Sequence, residues 1–511
     1  MVLIPSLPRP PRGEGIAAVS GAAARYNLAG KFRVRLGKQD DSIFNDAKEE
    51  VRSLAESLGL EGVGMLRNAI VGPFDIRSNR AYARIGEFLN AGVDRVVVAA
   101  HSTKELLGMI SETKYPPSRM LVEIIINSDD NVSQKEGVAW SHALHSDDTG
   151  DDAQSSLAEM VTDSNVAGIV ITLIDSSDET QLENILELKK WLKTSTFDFE
   201  MIISAPGWKY ASDRAWSRIA SKNTHDSTEK KCSYLESLIG ELHTLVSKDR
   251  GVDVELDDVT TENSKTECAA AVSLARAFVS CLRSDRPDGL YPTVVCDVLG
   301  VALGLVYSND ESIAASFATG DATYWSRSRN SLWIKGKTSG ATQKVRSIRF
   351  DCDCDALRFC VEQAGSPPSF CHRQCRTCWG EDDGIGHLFR TIEQRKAKAP
   401  QGSYTKRLFD DRALLRDKLL EESQELIEAV GESISGEGTT HHVAEETADL
   451  LYFALVACCA GGASLSAAVE VLAARSLKVK RRPGNAKRYR QDAAEEALRA
   501  IKYPEGTHSS E

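Results

Sequence analysis

Short apolar runs and stretches of helical period alternate through the first half of the chain. The runs at residues 32–36, 95–100, 121–126, 167–174 and 201–205 are too short for helices and continuous rather than alternating, as in strands buried on both faces. Between them, residues 46–58 and 179–192 repeat apolar positions every three or four residues, as amphipathic helices do. Strands separated by helices predict an α/β domain on a parallel sheet over residues 31–250, either a barrel or an open sheet. The Pro-rich opening, residues 1–30, reads as a disordered arm, and the polar, weakly periodic stretch at 251–282 as a linker.

From residue 283 the texture becomes β-rich, with strands expected at 291–297, 302–307, 322–326 and 345–350 in a mixed, mostly antiparallel α+β domain ending near 382. From 386 to 480 the period is helical, with long runs at 413–430 and 444–459, and an all-α domain follows. Residues 481–511 form a basic and polar tail. Twenty uncharged positions at 450–469 have the length of a membrane span, yet they are rich in Ala, Gly and Ser and broken by Gly461 and Gly462. A core helix and turn is expected there instead.

The 511 residues are 42% hydrophobic and 27% charged, ordinary for globular domains, and a net charge of −12 argues against general affinity for nucleic acid or anionic membrane. Basic residues from Lys478 to Arg490 lack interleaved aromatics beyond Tyr489 and read as a solvated or phosphate-facing helix end. No basic segment followed by an apolar run opens the chain, so the twelve cysteines are expected to be reduced thiols in the cytoplasm.

Six of those cysteines fall between Cys352 and Cys378. Read as a strand end, residues 348–355 would put Asp351, Asp353 and Asp355 on one face by simple alternation. Three clustered carboxylates suit Mg²⁺, and thiolates suit Zn²⁺. Cys352, Cys371 and Cys378 would give three sulfur ligands and leave a fourth position for a water, whose pKa falls near ~7 on zinc. His372 is placed to move its proton. A structural four-cysteine site using Cys354 or Cys375 is the alternative.

Asp288-Gly289-Leu290, Tyr324 to Arg329, Leu332 to Gly340, Gln343, the Asp351–Asp355 cluster, Cys371-His372 and Cys378 occur in that order over about 95 residues. Together they resemble phosphoribosyl-AMP cyclohydrolase of histidine biosynthesis, which opens the purine ring between N1 and C6 with zinc and magnesium, usually as a homodimer. The resemblance implies zinc on Cys352, Cys371 and Cys378, with Cys352 reaching across a dimer, and magnesium on Asp351, Asp353 and Asp355. It also implies substrate contacts from Arg327, Arg329, Lys335, Lys337, Thr338 and Ser339. Trp325 and Trp333 read either as core or, for Trp333 especially, as a stacking surface. Cys354 and the Arg373-Gln374-Cys375 segment depart from the family pattern.

In the helical region, Lys418, Glu421, Glu422 and Glu425 share a helix face, and Glu445, Glu446 and Asp449 repeat the spacing on a second helix. Facing carboxylate pairs can hold Mg²⁺ against a polyphosphate. With Leu388 to Arg395, Gly402 to Leu408, Tyr452 and Arg475, this set resembles phosphoribosyl-ATP pyrophosphohydrolase, an all-α enzyme performing the preceding step. The resemblance implies metal ligands at Glu422, Glu425, Glu446 and Asp449, water activation by Glu421, and substrate contacts from Lys418, Arg395, Tyr404 and Arg475.

The order of the three regions resembles the front of the fungal multifunctional histidine-biosynthesis proteins, and the 36 residues after Arg475 are too few for a histidinol dehydrogenase portion. Residues 90–100 and 202–207 resemble the phosphoribosyl-formimino isomerase barrel. Glycine-rich phosphate loops are not evident there, so a scaffold or decayed barrel is expected, with Asp175 the acidic residue to test. Two functions compete: consecutive hydrolysis of phosphoribosyl-ATP and phosphoribosyl-AMP, or a zinc-stabilised regulatory or scaffold protein that binds nucleotides without turnover.

Overall fold

A computed structural model describes residues 2–8, 28–36, 46–58, 66–127, 161–174, 200–204, 250–255, 275–380 and 384–479, apart from residues 79, 101–102, 276–277, 280 and 401. The chain divides into two compact units, residues 1–380 with 473–480, and residues 381–472 with 481–511. Asp175, the helical pattern at 179–192 and the basic tail lie outside the described residues.

The first unit begins with a closed barrel of eight parallel strands. These are β1 (Val2–Pro8), β2 (Phe32–Arg35), β3 (Ala69–Asp75), β4 (Arg95–Ala99), β5 (Met120–Asn127), β6 (Gly168–Ile174), β7 (Glu200–Ser204) and β8 (Arg250–Glu255). Helices α1 (Ala47–Ser57), α2 (Ala81–Ala91) and α3 (Thr103–Thr113) lie between successive strands. Alternation explains the continuous apolar runs. Ile70, Val97, Leu121, Val170 and Ile202 form an inner cluster, while Val71, Val96, Val98, Met120 and Val122 pack with Leu54, Phe88 and Leu106 outside. Within the barrel, buried Arg33 lies 3.5 Å from Glu123, which also accepts from Thr172 Oγ1 at 2.8 Å.

Two expectations are corrected here. Residues 1–30 are not wholly a disordered arm, because Val2–Pro8 pairs in parallel with β2 and β8 and closes the barrel. Its prolines disguised the apolar run Val2-Leu3-Ile4. Nor does the domain end at 250, since β8 extends to Glu255 inside the expected linker. The same stretch also contains Phe278, which is buried against Phe317 and Phe350 with ring centroids 5.2 Å away in each case.

Next come β9 (Tyr291–Asp297), β10 (Ala302–Ser308), α4 (Asp310–Thr319), β11 (Thr323–Ser326), β12 (Ser331–Ile334), β13 (Gln343–Phe350) and β14 (Leu357–Gln363). Four of these strands make a mixed sheet in the order β10-β9-β14-β13, parallel only between β9 and β14. Strands β11 and β12 form a separate hairpin. The sheet closes on a core of Phe317, Tyr324, Ile348, Phe359 and Val361.

The second unit is helical: α5 (Ile385–Lys398), α6 (Tyr404–Asp410), α7 (Arg412–Ser435), α8 (Thr440–Ala460) and the body of α9 (Leu465–Ser476). Asp411 starts α7 by accepting from the amides of Ala413 and Leu414, and Gly436, at φ 83°, ends it. Phe453, Leu455, Val456 and Cys459 bury one side of α8. Among the described residues no single helix is long and apolar enough to cross a membrane; α8 and α9 meet that measure only jointly, across a 110° bend.

Candidate active sites

Strand β13 ends at Phe350, and the acidic cluster occupies the turn that follows rather than a strand end. The expected alternation is therefore not what gathers the carboxylates. Asp351 Oδ1 accepts from the amides of Asp355 and Ala356, both at 3.1 Å, and Cys354 adopts φ 67°. That left-handed residue folds the chain back. Oxygens of Asp351, Asp353 and Asp355 come within 4.8 Å of one another. The Asp355 carboxyl is raised above the usual range by lost hydration and then by the charges of Asp351 and Asp353. A trio of hard oxygen donors strained by mutual repulsion fits a hard divalent cation.

Cys354 is turned away from this chemistry. Its thiol is buried, donates toward Asp351 O at 3.7 Å, and is pushed by burial up to about 11. The Cys378 thiol is raised by burial and then by the neighbouring Cys371 thiol, with which it interacts. His372 Nδ1 is 3.9 Å from Cys371 Sγ. The exposed Cys352 does not join them: among the described residues no trio of these thiols converges within one chain. Two facing thiols with a neighbouring imidazole fit zinc in donor type. Cys375 is exposed, with its thiol toward Arg373 O at 3.7 Å.

A groove of about 560 Å³ runs along β10 and the β11–β12 hairpin, lined by Tyr307, Trp325, Arg327 and Trp333 among others. Arg327 stacks on Tyr307, 3.9 Å from the ring centre, and Arg286 lies 4.8 Å from the same ring. Trp333 belongs partly to the core, 5.7 Å from the Tyr324 ring, and partly to the groove. Arg329 is exposed and donates to Ser326 Oγ at 3.1 Å. Lys337, Thr338 and Ser339 occupy an exposed turn whose Gly336, at φ +81°, has no room for a side chain beside the Ala341 backbone.

Lys335 departs from its expected phosphate contact. It is buried, and its ammonium donates to the carbonyls of Ser369 at 3.0 Å and Ala341 at 3.4 Å. Burial lowers its pKa while Cys378 and Cys371 act in the opposite sense. Tyr307 and Arg286 were not singled out from the sequence. Arg286 lies two residues before Asp288, to which it is paired at 2.8 Å, and that pairing was the available signal.

On the helical unit, Glu422 and Glu425 of α7 and Glu446 of α8 bring carboxylate oxygens within 4.8 Å. Asp449 stands one turn further along α8, exposed and outside that trio. Lys418 Nζ lies 2.8 Å from both Glu421 and Glu422. Burial works against the Lys418 charge, but the hydrogen bonds it donates to the two glutamates outweigh it and raise the pKa. Although Glu425 is exposed, its pKa is raised by lost hydration and then by Glu422, Glu421 and Glu446. The His442 imidazole reaches Glu446 at 3.2 Å. Tyr404 packs edge-on against Phe453, and Arg395 and Arg475 sit in the last turns of α5 and α9.

The family Phosphoribosyl-AMP cyclohydrolase matches residues 304–380, and Phosphoribosyl-ATP pyrophosphohydrolase matches 385–476. The chain is similar to the Histidine biosynthesis bifunctional protein HisIE of Parasynechococcus marenigrum, 39% identical over 221 residues, 40% of this chain and 96% of that protein. The chain belongs to the HisIE family. It is also similar to the Histidine biosynthesis bifunctional protein his7 of Schizosaccharomyces pombe, 45% identical over 216 residues, 42% of this chain and 49% of that one. The Histidine biosynthesis trifunctional protein of Komagataella pastoris is 44% identical over 234 residues, 46% of this chain. The matched segment spans 26% of that trifunctional protein's length.

Proposed function

We propose that this chain catalyses two consecutive hydrolyses of histidine biosynthesis: phosphoribosyl-ATP loses pyrophosphate to give phosphoribosyl-AMP, whose purine ring is then opened between N1 and C6. The observation that carries this reading is the coincidence of each converging acidic trio with one family match, Asp351, Asp353 and Asp355 in the first and Glu422, Glu425 and Glu446 in the second.

Mg²⁺ would be held by each trio, and Zn²⁺ by Cys371 and Cys378 together with Cys352. When bound, magnesium neutralises phosphate charge and zinc supplies a hydroxide-like water at neutral pH. Glu421, half-buried beside Lys418, accepts a proton from the attacking water, and Lys418 and Arg395 neutralise the leaving pyrophosphate. In ring opening His372 moves the proton. Arg327, Arg329 and Lys337 neutralise substrate phosphate, with Thr338 and Ser339 donating from the adjacent turn and Trp333 presenting its ring to the base.

The separation of Cys352 from the Cys371–Cys378 pair supports a homodimer in which Cys352 comes from a second copy. A reducing compartment such as the cytoplasm keeps these thiols available for metal. The barrel is read as a scaffold derived from an enzyme fold. Incubation of the purified protein with phosphoribosyl-ATP, Mg²⁺ and Zn²⁺, with products resolved by mass, tests the reading. Bound but unchanged nucleotide would favour the zinc-stabilised scaffold instead.

A further inference from the structure

The loop carrying Cys371 and Cys378 is tied down by groups that take no part in the chemistry proposed above. Arg376 donates through one NH2 group to Asp297 Oδ2 at 2.6 Å. Asp297 is only 3% exposed and ends β9. Its other oxygen accepts from the amides of Leu299 and Val301, both at 3.0 Å, so the β9–β10 turn fixes this carboxylate independently of the loop.

A second tie comes from β14. Gln363 Nε2 donates to the carbonyls of Pro368 at 3.1 Å and Arg376 at 3.3 Å. Its Oε1 accepts from Gln343 at 2.9 Å, and Gln343 Oε1 accepts from the fully buried Tyr324 hydroxyl at 2.9 Å. The loop ends are seated on β10. The amide of Cys378 donates to Leu303 O at 2.8 Å, and the Phe370 ring lies over Gly304, where a Cβ would come within 2.3 Å of it.

An ion pair that has lost most of its water adds little net stability, but it permits few alternative geometries once both partners are fixed. Here it fixes the short segment between two thiols that must meet one metal. Ordering that segment in advance removes an entropic cost from metal binding. We propose that the Asp297–Arg376 pair, with Gln363, presets the Cys371–Cys378 loop as a half-site for zinc and thereby sets how tightly the protein retains the metal. This rests on the zinc reading above. Both residues are positioning residues, since neither touches metal or substrate.

The test uses full-length protein stripped of metal, then titrated with Zn²⁺ against a chromophoric chelator. Asp297→Asn and Arg376→Gln are each expected to weaken zinc binding roughly tenfold. The double variant should be no worse than the weaker single, because the partners act as one unit. Arg376→Lys should recover most of the affinity. Pyrophosphate release, which reports the folding of the helical unit rather than zinc retention, should stay near wild type. Zinc affinity within twofold of wild type in both single variants would overturn the proposal. Should Asp297→Asn not fold, Gln363→Met must show the same loss, and wild-type affinity there overturns it equally. Failure of the wild type itself to take up zinc would overturn the underlying zinc reading.

Discussion

Lys418 Nζ sits 2.8 Å from Glu422 Oε1, so the acidic trio on α7 and α8 already has a cation attached to one of its members. If the trio takes Mg²⁺ as proposed, lysine and the ion would compete for Glu422, and metal binding would free Lys418 to meet phosphate. Replacing Lys418 with Met should lower the Mg²⁺ concentration needed for half-maximal pyrophosphate release by several-fold, while raising KM for phosphoribosyl-ATP. Steady-state kinetics over a Mg²⁺ series separates the two effects. A higher Mg²⁺ requirement would show that the ammonium orders the carboxylates rather than competing for them.

Glu425 gives the pH dependence. Lost hydration and its acidic neighbours raise its pKa, so the metal-free fold binds this proton more tightly than the unfolded chain does. Its stabilising contribution is present at low pH and is lost as pH rises through the raised pKa. Without metal at neutral pH, Glu425→Gln should unfold at a higher temperature than wild type. With Mg²⁺ the order should reverse, because the variant gains little from the ion. Thermal scans with and without Mg²⁺ decide this.

The two catalytic sites draw on different residues, and their knockouts should separate. Cys371→Ser leaves too few thiolates for a catalytic zinc, so ring opening should be lost while pyrophosphate release continues and phosphoribosyl-AMP accumulates. Glu422→Gln should do the reverse, cutting pyrophosphate release strongly while supplied phosphoribosyl-AMP is still opened. Loss of both activities in either variant would mean that the sites are coupled.

Removal of the barrel depends on where the chain is cut. Every candidate ligand lies after Asp288, and Phe278 belongs to the core beneath β13. A fragment beginning between Glu255 and Ala275 should keep both turnover numbers within a few-fold. One beginning at Arg283 loses Phe278, a deletion of about 3–5 kcal/mol in a packed core, and ring opening should fail. Loss of ring opening in a folded, zinc-containing fragment of the first kind would show that the barrel completes the site or its dimer.

Five of the eight barrel strands were legible because parallel strands buried on both faces leave continuous apolar runs, as at Val96-Val97-Val98, whereas β3 went unread because Gly72-Pro73 interrupts its run. β1 was hidden by its prolines, and β8 by Asp253 between its two valines and Glu255 after them. The convergence of Asp351, Asp353 and Asp355 was anticipated on the wrong geometry. A non-glycine residue at φ 67° leaves no pattern in sequence, so the turn at Cys354 was read as strand. Burial of Lys335 was equally hidden, because its receiving carbonyls at Ala341 and Ser369 come together only in the folded chain. Helical spacing put Glu422 and Glu425 on one face and Glu446 on another helix, but a solvated charged face reads the same way, and it was the family resemblance that pointed to their meeting.

The central claim, two successive hydrolyses on one chain, is tested most directly by following phosphoribosyl-ATP by time-resolved mass spectrometry, with zinc present and with zinc removed, at constant Mg²⁺. Phosphoribosyl-AMP should rise and then fall as the ring-opened product appears, and without zinc it should rise and stay. Phosphoribosyl-ATP left intact by metal-loaded protein, or ring-opened product formed at an undiminished rate without zinc, would contradict the account.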